Sequence, residues 1–217
     1  MGVTAVHEIP TDVITAQIDA VLSDIGADAV KTGMLSSGAI IECVVEALKN
    51  HGIRQLVVDP VMVAKSGDSL LREDAVDTLR TRLLPLAAVV TPNIPEAEAL
   101  TETKIVSDAD VRRAAEAIVA MGARSVVVKG GHREGPATDL FYDGSDFREF
   151  TAPRIDTVNT HGTGCTFASA VAAGLARGMT VTESVALAKD YVTEAIRTSF
   201  PIGQGHGPLN HFYKLWE

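Results

Sequence analysis

A glycine-rich segment ahead of an apolar helix is the part of this sequence best suited to chemistry. The segment runs from Asn159 through Thr160, His161, Gly162, Thr163 and Gly164 to Cys165. The first turn of a helix carries backbone N–H groups without intrahelical partners, and such a terminus binds anions. Glycines let a phosphoryl group approach the backbone, and fixed donors stabilise charge that develops during its transfer. The segment therefore predicts an anion-binding loop, with a loop that only packs as the alternative.

Cys165 stands at the start of this helix, where the helix terminus lowers the pKa of a thiol. We therefore expect thiolate character at Cys165, which would suit a base or a nucleophile. The sequence lacks both the Gly-Lys-Ser/Thr of a P-loop and the third glycine of a dinucleotide fingerprint. His161 could polarise a phosphate or pair with Cys165, so a thiol hydrolase is a further alternative.

Four predicted strands end in polar or glycine-rich residues. These ends are Lys31-Thr32-Gly33-Met34, Asp59-Pro60-Val61, Thr91-Pro92-Asn93 followed by Glu96, and Lys129-Gly130-Gly131-His132. Because ligands of open parallel sheets bind beyond the carboxyl ends of the strands, we expect these residues to line one edge. Asp59 and Glu96 could hold a hydrated Mg²⁺ that bridges nucleotide phosphates, and Lys129 could add positive charge there. Alternatively, Asp59 caps a turn and Glu96 only opens a helix.

Hydrophobic patterning predicts the elements that position these residues. Short β-branched runs alternate with helix-period segments, each bounded by Gly, Pro or Asn, which is typical of repeated βα units. The sequence therefore predicts an α/β protein with a mostly parallel sheet, in one domain over residues 1–217. The predicted strands are 27–31, 55–58, 87–90 and 125–128, followed by a hairpin of 138–142 and 147–151. The predicted helices are 11–26, 37–50, 73–84, 107–121, 165–177 and 181–198.

Three of these helices have start signals in the sequence. Thr11 is expected to cap the first helix. Ser107 with Asp110 and Thr180 with Glu183 have the spacing of capping boxes, in which the first side chain and the fourth exchange hydrogen bonds with each other's backbone.

Composition limits the classes of partner. The 217 residues include 19 Lys plus Arg and 28 Asp plus Glu, which gives a formal charge of −9 at pH 7. A nucleic-acid-binding surface needs clustered cations, so we expect no nucleic-acid partner. The apolar runs at 86–90 and 168–176 are far shorter than the about 18 residues of a membrane helix, so we expect no membrane. With two cysteines and no visible export signal, we expect a cytoplasmic protein.

Five motifs together carry a resemblance to a known family. They are Lys31-Thr-Gly-Met34, Asp59-Pro-Val-Met62, Asn93-x-x-Glu96, Lys129-Gly-Gly-His132 and Gly162-Thr-Gly-Cys165. The chain resembles the ribokinase-like superfamily, and most closely the hydroxymethylpyrimidine/phosphomethylpyrimidine kinases of thiamine biosynthesis. The resemblance implies a three-layer fold with helices on both faces of the sheet. It also implies transfer of the ATP γ-phosphate to hydroxymethylpyrimidine and then to the resulting monophosphate.

The resemblance assigns a role to each candidate residue. Gly162, Thr163 and Gly164 would form the anion hole, with Cys165 in the base position. ATP would be held by Lys129, Asn93, Glu96 and Thr160, Mg²⁺ by Asp59 and Glu96, and the pyrimidine by Met34 and Val61. The family's tendency, together with the aromatic tail of Phe212, Tyr213 and Trp216, also favours a homo-oligomer.

The family's first strand and its Gly/Ser-rich segment have no counterpart in this sequence. We therefore expect an N-terminally incomplete domain, and an inactive ligand-binding remnant is one alternative function. Pyridoxal/pyridoxine kinase is another, because it shares the fold and a ring-CH₂OH acceptor. Sugar kinases of the superfamily carry Asp where Cys165 stands. A phosphate acceptor is already ionised near pH 7, so its phosphorylation tolerates the weaker base.

Overall fold

The central sheet of the molecule has six strands in chain order. The computed structural model describes residues 5–62, 73–131 and 135–215, so His132 and Trp216 lie outside the described residues. Within these ranges the strands are β1 (Val30–Thr32), β2 (Leu56–Val58), β3 (Val89–Val90), β4 (Val126–Val128), β5 (Ala137–Tyr142) and β6 (Phe147–Ala152). Strands β1 to β4 are parallel, and β5 and β6 add an antiparallel hairpin. The predicted α/β class with a mostly parallel sheet is confirmed.

Seven α-helices accompany the sheet in the described part of the chain. They are α1 (Thr11–Asp24), α2 (Gly38–Asn50), α3 (Glu73–Thr78), α4 (Ile94–Thr101), α5 (Asp108–Ala120), α6 (Thr163–Ala176) and α7 (Val181–Arg197). The predicted helix 73–84 is wrong beyond Thr78, where the chain continues as a π-helical turn and then a 3₁₀ turn containing Pro85. Helix α4 was expected only as the alternative in which Glu96 opens a helix. None of the helices in the described ranges combines the length and apolar character that a membrane span needs.

The helices form layers on both faces of the sheet. Because the parallel strands follow chain order, right-handed connections place the intervening helices on one face. Leu56 and Val58 pack on that face in a core shared with α2, α4 and α5. Val57, between them, points to the other face, as the two-residue period of a strand requires, and packs with Phe167 of α6 and Val185 of α7. The three-layer architecture expected from the resemblance is confirmed.

Helices α6 and α7 approach each other closely at Gly174. A Cβ on Gly174 would lie 2.6 Å from Oγ of Ser184 and 3.0 Å from its Cα. Only glycine fits this contact without moving one of the helices. The pair therefore packs as a unit against the sheet.

Two of the three predicted helix starts are confirmed. Oγ1 of Thr180 accepts a hydrogen bond from the Glu183 N–H at 3.2 Å, and the Glu183 carboxylate accepts from the Thr180 N–H at 2.8 Å. Ser107 and Asp110 make the same reciprocal pair at the start of α5. The expected cap at Thr11 is wrong, because Thr11 is already helical and Pro10 precedes it without a side-chain cap.

Candidate active site

The carboxyl ends of the parallel strands meet at one edge. The Asp59 N–H donates to the Thr32 carbonyl at 3.1 Å, and the Thr91 N–H donates to the Val58 carbonyl at 2.9 Å. The Lys129 N–H donates to the Pro92 carbonyl at 2.8 Å. The first residues beyond β2, β3 and β4 thus lie side by side, so the folding of the sheet itself gathers them.

Asp59 is the electrostatic centre of this edge. It is only 2 % exposed, and its Oδ1 lies 3.0 Å from Nζ of Lys129. Its Oδ2 lies 3.6 Å from Nζ of Lys31 and accepts no hydrogen bond from the described residues. Two ammonium groups therefore balance the buried charge of one carboxylate. No role was predicted for Lys31 from the sequence. Its position at the end of β1, in line with Asp59 at the end of β2, could have indicated one.

The N-terminus of α6 reaches the same place. Gly162 precedes the helix with φ of 83°, a left-handed conformation that favours glycine. Oγ1 of Thr163 donates to the Thr160 carbonyl at 2.8 Å, which fixes the turn into the helix. Gly164 lies against the Lys129 side chain, since a Cβ at Gly164 would be 3.2 Å from Nζ. The predicted anion-binding turn and Lys129 are therefore neighbours.

The thiol of Cys165 meets Asp59 in this arrangement. Cys165 lies within the electrostatic range of Asp59, Lys31 and Lys129. Partial desolvation of its thiol, and then the negative charge of Asp59, raise the pKa of Cys165 above its ordinary value, although the residue as a whole is exposed. The two lysines lower it by less. This direction is opposite to the lowered pKa that a helix terminus alone predicts, so it does not support the thiolate expected at Cys165.

Glu96 opens α4 and also belongs to the charged edge. Its backbone N–H donates to Oδ1 of Asn93 at 2.9 Å, and its Oε2 accepts from the Asn93 N–H at 2.8 Å. Glu96 therefore opens a helix, as the alternative from the sequence expected, and it does so through a complete capping box with Asn93. Burial raises the pKa of Glu96 to about 7, with a smaller opposing effect from Lys129 and a reinforcing one from Asp59. Glu96 therefore changes charge near neutral pH, which is unusual for a residue that serves only as a cap.

The remaining predicted residues differ in how closely they join this group. Val61 is partly buried, and its N–H donates to the Asp59 carbonyl at 2.8 Å. Met34, two residues beyond β1, is 42 % exposed. His161 is bound through its backbone to the C-terminal segment, where its N–H donates to the Gly207 carbonyl at 3.0 Å. No contact between His161 and Cys165 is present among the described residues, so the thiol-hydrolase pair gains no support.

A cavity of about 190 Å³ lies on the side of the sheet that α5 covers. Ile94, Val111, Val128 and Leu140 form its apolar part, and the paired Arg112 and Glu149 are among its polar lining. It includes Gly130 but none of the charged residues around Asp59. This cavity therefore does not coincide with the edge where the charged side chains around Asp59 meet.

The fold and the charged edge define the class of this protein as a phosphotransferase. A helix terminus, two lysines and two carboxyl groups at the carboxyl edge of a mostly parallel sheet suit the handling of a phosphoryl group. The family model described as phosphomethylpyrimidine kinase matches residues 1–210. The chain belongs to the phosphomethylpyrimidine kinase family.

Individual relatives agree with this membership. The chain is 50 % identical over 216 residues to the hydroxymethylpyrimidine/phosphomethylpyrimidine kinase of Streptomyces coelicolor, covering 100 % of this chain and 80 % of that protein. It is 47 % identical over 214 residues to the Bacillus subtilis kinase of the same name, covering 98 % and 79 %. It is also 50 % identical to the thiamine biosynthesis bifunctional protein ThiED of Geobacter sulfurreducens, of which it spans only 43 % while 97 % of this chain is matched.

Solved structures share the fold. Bacillus subtilis pyridoxal kinase, solved as an ADP complex, superposes with a TM-score of 0.91 at 40 % identity, covering 98 % of this chain and 81 % of that one. Phosphomethylpyrimidine kinase from Clostridium difficile superposes with a TM-score of 0.79 at 43 % identity, covering 88 % and 79 %. The ribokinase-like fold expected from the sequence is confirmed.

Proposed function

We propose that the protein transfers the γ-phosphate of ATP to hydroxymethylpyrimidine, and then phosphorylates the monophosphate to the pyrophosphate. The family and the names of its relatives support this activity. The observation that carries it in this chain is the meeting of the α6 N-terminus and Lys129 beside Asp59 and Cys165.

The amides of Gly162, Thr163, Gly164 and Cys165 and the ammonium of Lys129 would bind the phosphoryl group in flight. Preorganised donors of this kind stabilise the charge of the transition state because they need no reorganisation during the reaction. Lys31 stands on the other side of Asp59, beside Gly33 and near Met34. We assign it to the acceptor, together with Met34 and Val61 as contacts of the pyrimidine.

The two phosphorylations place different demands on Cys165. The hydroxymethyl acceptor must lose its proton as the new P–O bond forms. Because the pKa of Cys165 is raised, its thiol would have to release its own proton as it takes that one, and the nearby Asp59 carboxylate is the proposed acceptor. The monophosphate acceptor is already ionised, so the second step needs no such transfer.

The carboxyl groups fit Mg²⁺ unequally. Mg²⁺ keeps several waters and is usually held by one or two carboxylates plus substrate phosphates, so a dense ligand cluster is not required. In the described residues no group of three or more potential metal ligands occurs. Asp59 is already balanced by two lysines, whereas Glu96 gains its charge near pH 7. Glu96 is therefore the better ligand, directly or through water, and Asp59 the more distant one. Bound Mg²⁺ would neutralise phosphate charge.

Three expectations from the sequence stay predictions. These are a single kinase domain over residues 1–217, a cytoplasmic location and a homo-oligomer. In the tail, Tyr213 packs against Tyr191 with ring centroids 5.6 Å apart, while Phe212 is 54 % exposed. Light scattering on the purified chain and on Phe212→Ser would test the role of the tail in association.

Phosphorus NMR of the purified chain with ATP, Mg²⁺ and either pyrimidine tests the proposed function directly. We expect turnover of both acceptors and a loss of about 100-fold or more in Lys129→Met. Lys104→Met is the matched control, because that lysine is 87 % exposed and pairs only with surface Glu98. Unchanged activity in Lys129→Met would refute the assigned phosphate site, and turnover of neither acceptor would refute the function.

Pyridoxal kinase is the second candidate, because Bacillus subtilis pyridoxal kinase superposes on this chain with a TM-score of 0.91. Rates on pyridoxal and on the pyrimidine monophosphate distinguish the two activities, since only the pyrimidine kinase is expected to use the monophosphate. The binding-remnant alternative predicts calorimetric binding of nucleotide or pyrimidine without phosphate transfer.

A further inference from the structure

A buried ion pair lies behind the turn that carries Lys129. Nζ of Lys189, in α7, is 2.8 Å from Oδ2 of Asp139, in β5, and also donates to the Ala137 carbonyl at 2.7 Å. The two side chains are only 11 % and 8 % exposed. A buried ion pair is seldom retained for stability alone, because desolvation offsets much of its attraction. The proposed reaction has given this pair no role so far.

Asp139 is bonded on its other side to the turn after β4. Its Oδ1 accepts a hydrogen bond from the Gly130 N–H at 2.9 Å. Gly130 is also pressed against the Thr138 carbonyl, since a Cβ at Gly130 would lie 1.8 Å from that oxygen. The backbone one residue beyond Lys129 is therefore held by a charged acceptor and by direct contact.

Lys129 itself depends on this backbone. Its N–H is bonded to the Pro92 carbonyl, so the chain is fixed on both sides of its Cα. From there its side chain reaches Asp59 and the Gly164 backbone. A shift of the Gly130 amide would therefore move the ammonium relative to both.

We propose that Lys189 is a positioning residue for phosphoryl transfer. It orients the Asp139 carboxylate, Asp139 holds the Gly130 amide, and that amide sets the place of Lys129 at the α6 terminus. The inference rests on the proposed function, because it takes Lys129 as a phosphate ligand. Without Lys189 the buried Asp139 carboxylate would lose the ion pair that fixes its orientation. The hold on Gly130 would then weaken.

The experiment compares Lys189→Met, Lys189→Arg and the double variant Asp139→Asn/Lys189→Met. Arg197→Met is the control, because Arg197 forms a surface pair with Glu194 on the same helix. In Lys189→Met we expect kcat to fall about 10-fold to 100-fold, with a smaller change in the KM for ATP, because Lys129 acts on the phosphoryl group in flight. Lys189→Arg should recover most of the loss. The double variant removes the unpaired buried charge, so it should recover thermal stability without recovering kcat.

Amide hydrogen exchange at Gly130 separates this inference from the proposed function. The exchange rate should rise in Lys189→Met and stay at the parent value in Arg197→Met, whether or not the chain turns over. If no acceptor is phosphorylated but exchange at Gly130 responds, the proposed function fails while the positioning contact stands. Unchanged Gly130 exchange, or a double variant that recovers kcat together with stability, would overturn the positioning role. Lys189→Arg and the double variant also serve if Lys189→Met does not fold.

Discussion

The carboxylate of Asp59 raises the pKa of the Cys165 thiol, although Asp59 lies at the end of a central strand and Cys165 at a helix start. This negative charge opposes the effect that a helix N-terminus alone would have on a cysteine.

Asp59→Asn should lower the pKa of Cys165, because it removes a nearby negative charge that now raises it. Ultraviolet titration of the thiolate, with Cys43 replaced by Ser, would measure the pKa. The parent chain should titrate above the ordinary thiol value of 9.0. Asp24→Asn, at an exposed site in α1, should leave the pKa unchanged. A Cys165 pKa that does not fall in Asp59→Asn would disprove the electrostatic effect of Asp59 on the thiol.

Glu96→Gln should stabilise the protein above neutral pH. Burial raises the pKa of Glu96 from 4.5 to about 7 in the folded chain. The buried carboxyl therefore lowers the free energy of unfolding only at pH values where the carboxyl of the unfolded chain is ionised. The penalty is absent below about pH 4.5, grows up to pH 7 and is full above it, where it amounts to at most about 3 kcal/mol. Glutamine keeps the capping box, so the cap is not lost. Urea unfolding at pH 5 and pH 8 would measure the difference.

Glu98→Gln is the contrasting control in the same helix. The pKa of Glu98 is lowered, chiefly by the hydrogen bond from the Ile105 N–H. Its stabilising effect is therefore present above the unfolded pKa and lost as the pH falls. Glu98→Gln should destabilise the protein at pH 8, so a common sign for the two variants would contradict one of the two assignments.

Lys31→Met should impair the second phosphorylation more than the first. We have assigned Lys31, which lies 3.6 Å from Asp59, to the acceptor, and its charge would matter more when the acceptor carries a phosphate. We expect kcat/KM for the monophosphate to fall about 10-fold further than kcat/KM for the alcohol. Lys31→Arg should narrow this gap, and Lys49→Met, at a surface pair with Glu46, should produce none. Equal losses on both acceptors would remove Lys31 from the acceptor side.

Gly130→Ala should destabilise the protein, because its Cβ would meet the Thr138 carbonyl at 1.8 Å. A forced backbone shift of this kind typically lowers the free energy of unfolding by about 1 to 3 kcal/mol. Gly131→Ala is the matched control, since a Cβ there meets nothing within 4 Å. Urea unfolding of both variants measures the difference, and similar midpoints would show that the turn is not held as described.

The sheet and its polar edge followed from the sequence because both depend on local patterns. The short runs around Val57, Val89 and Val127 are buried on both faces of the sheet. Such continuous apolar runs are typical of parallel strands, so they can be predicted before their neighbouring strands are known. Hydrophobic patterning did not predict the bounds of α4, because that helix is only eight residues long and has Pro95 in its first turn. It also did not predict the π-helical turn after Thr78, because the sequence there keeps the apolar spacing of an ordinary helix.

The electrostatics of the site could not follow from the sequence. The helix position of Cys165 was correct, but its pKa depends on burial and on Asp59, which only the folded chain brings near. Likewise, the titration of Glu96 near pH 7 reflects desolvation at a crowded edge rather than its capping motif. Charge balance between strand ends is a property of the tertiary structure.

The close contact of Gly174 with Ser184 fixes α6 near its C-terminal end. Gly174 lies eleven residues from Thr163, so this contact is about 16 Å from the N-terminus of the helix. A methyl group added at Gly174 would tilt the helix about that contact, and a few degrees of tilt would swing the terminal amides by about 1 Å. If the α6 terminus binds phosphate as proposed, its placement therefore depends on a helix contact about 16 Å away, and Gly174→Ala is expected to lower activity without altering any residue of the charged edge.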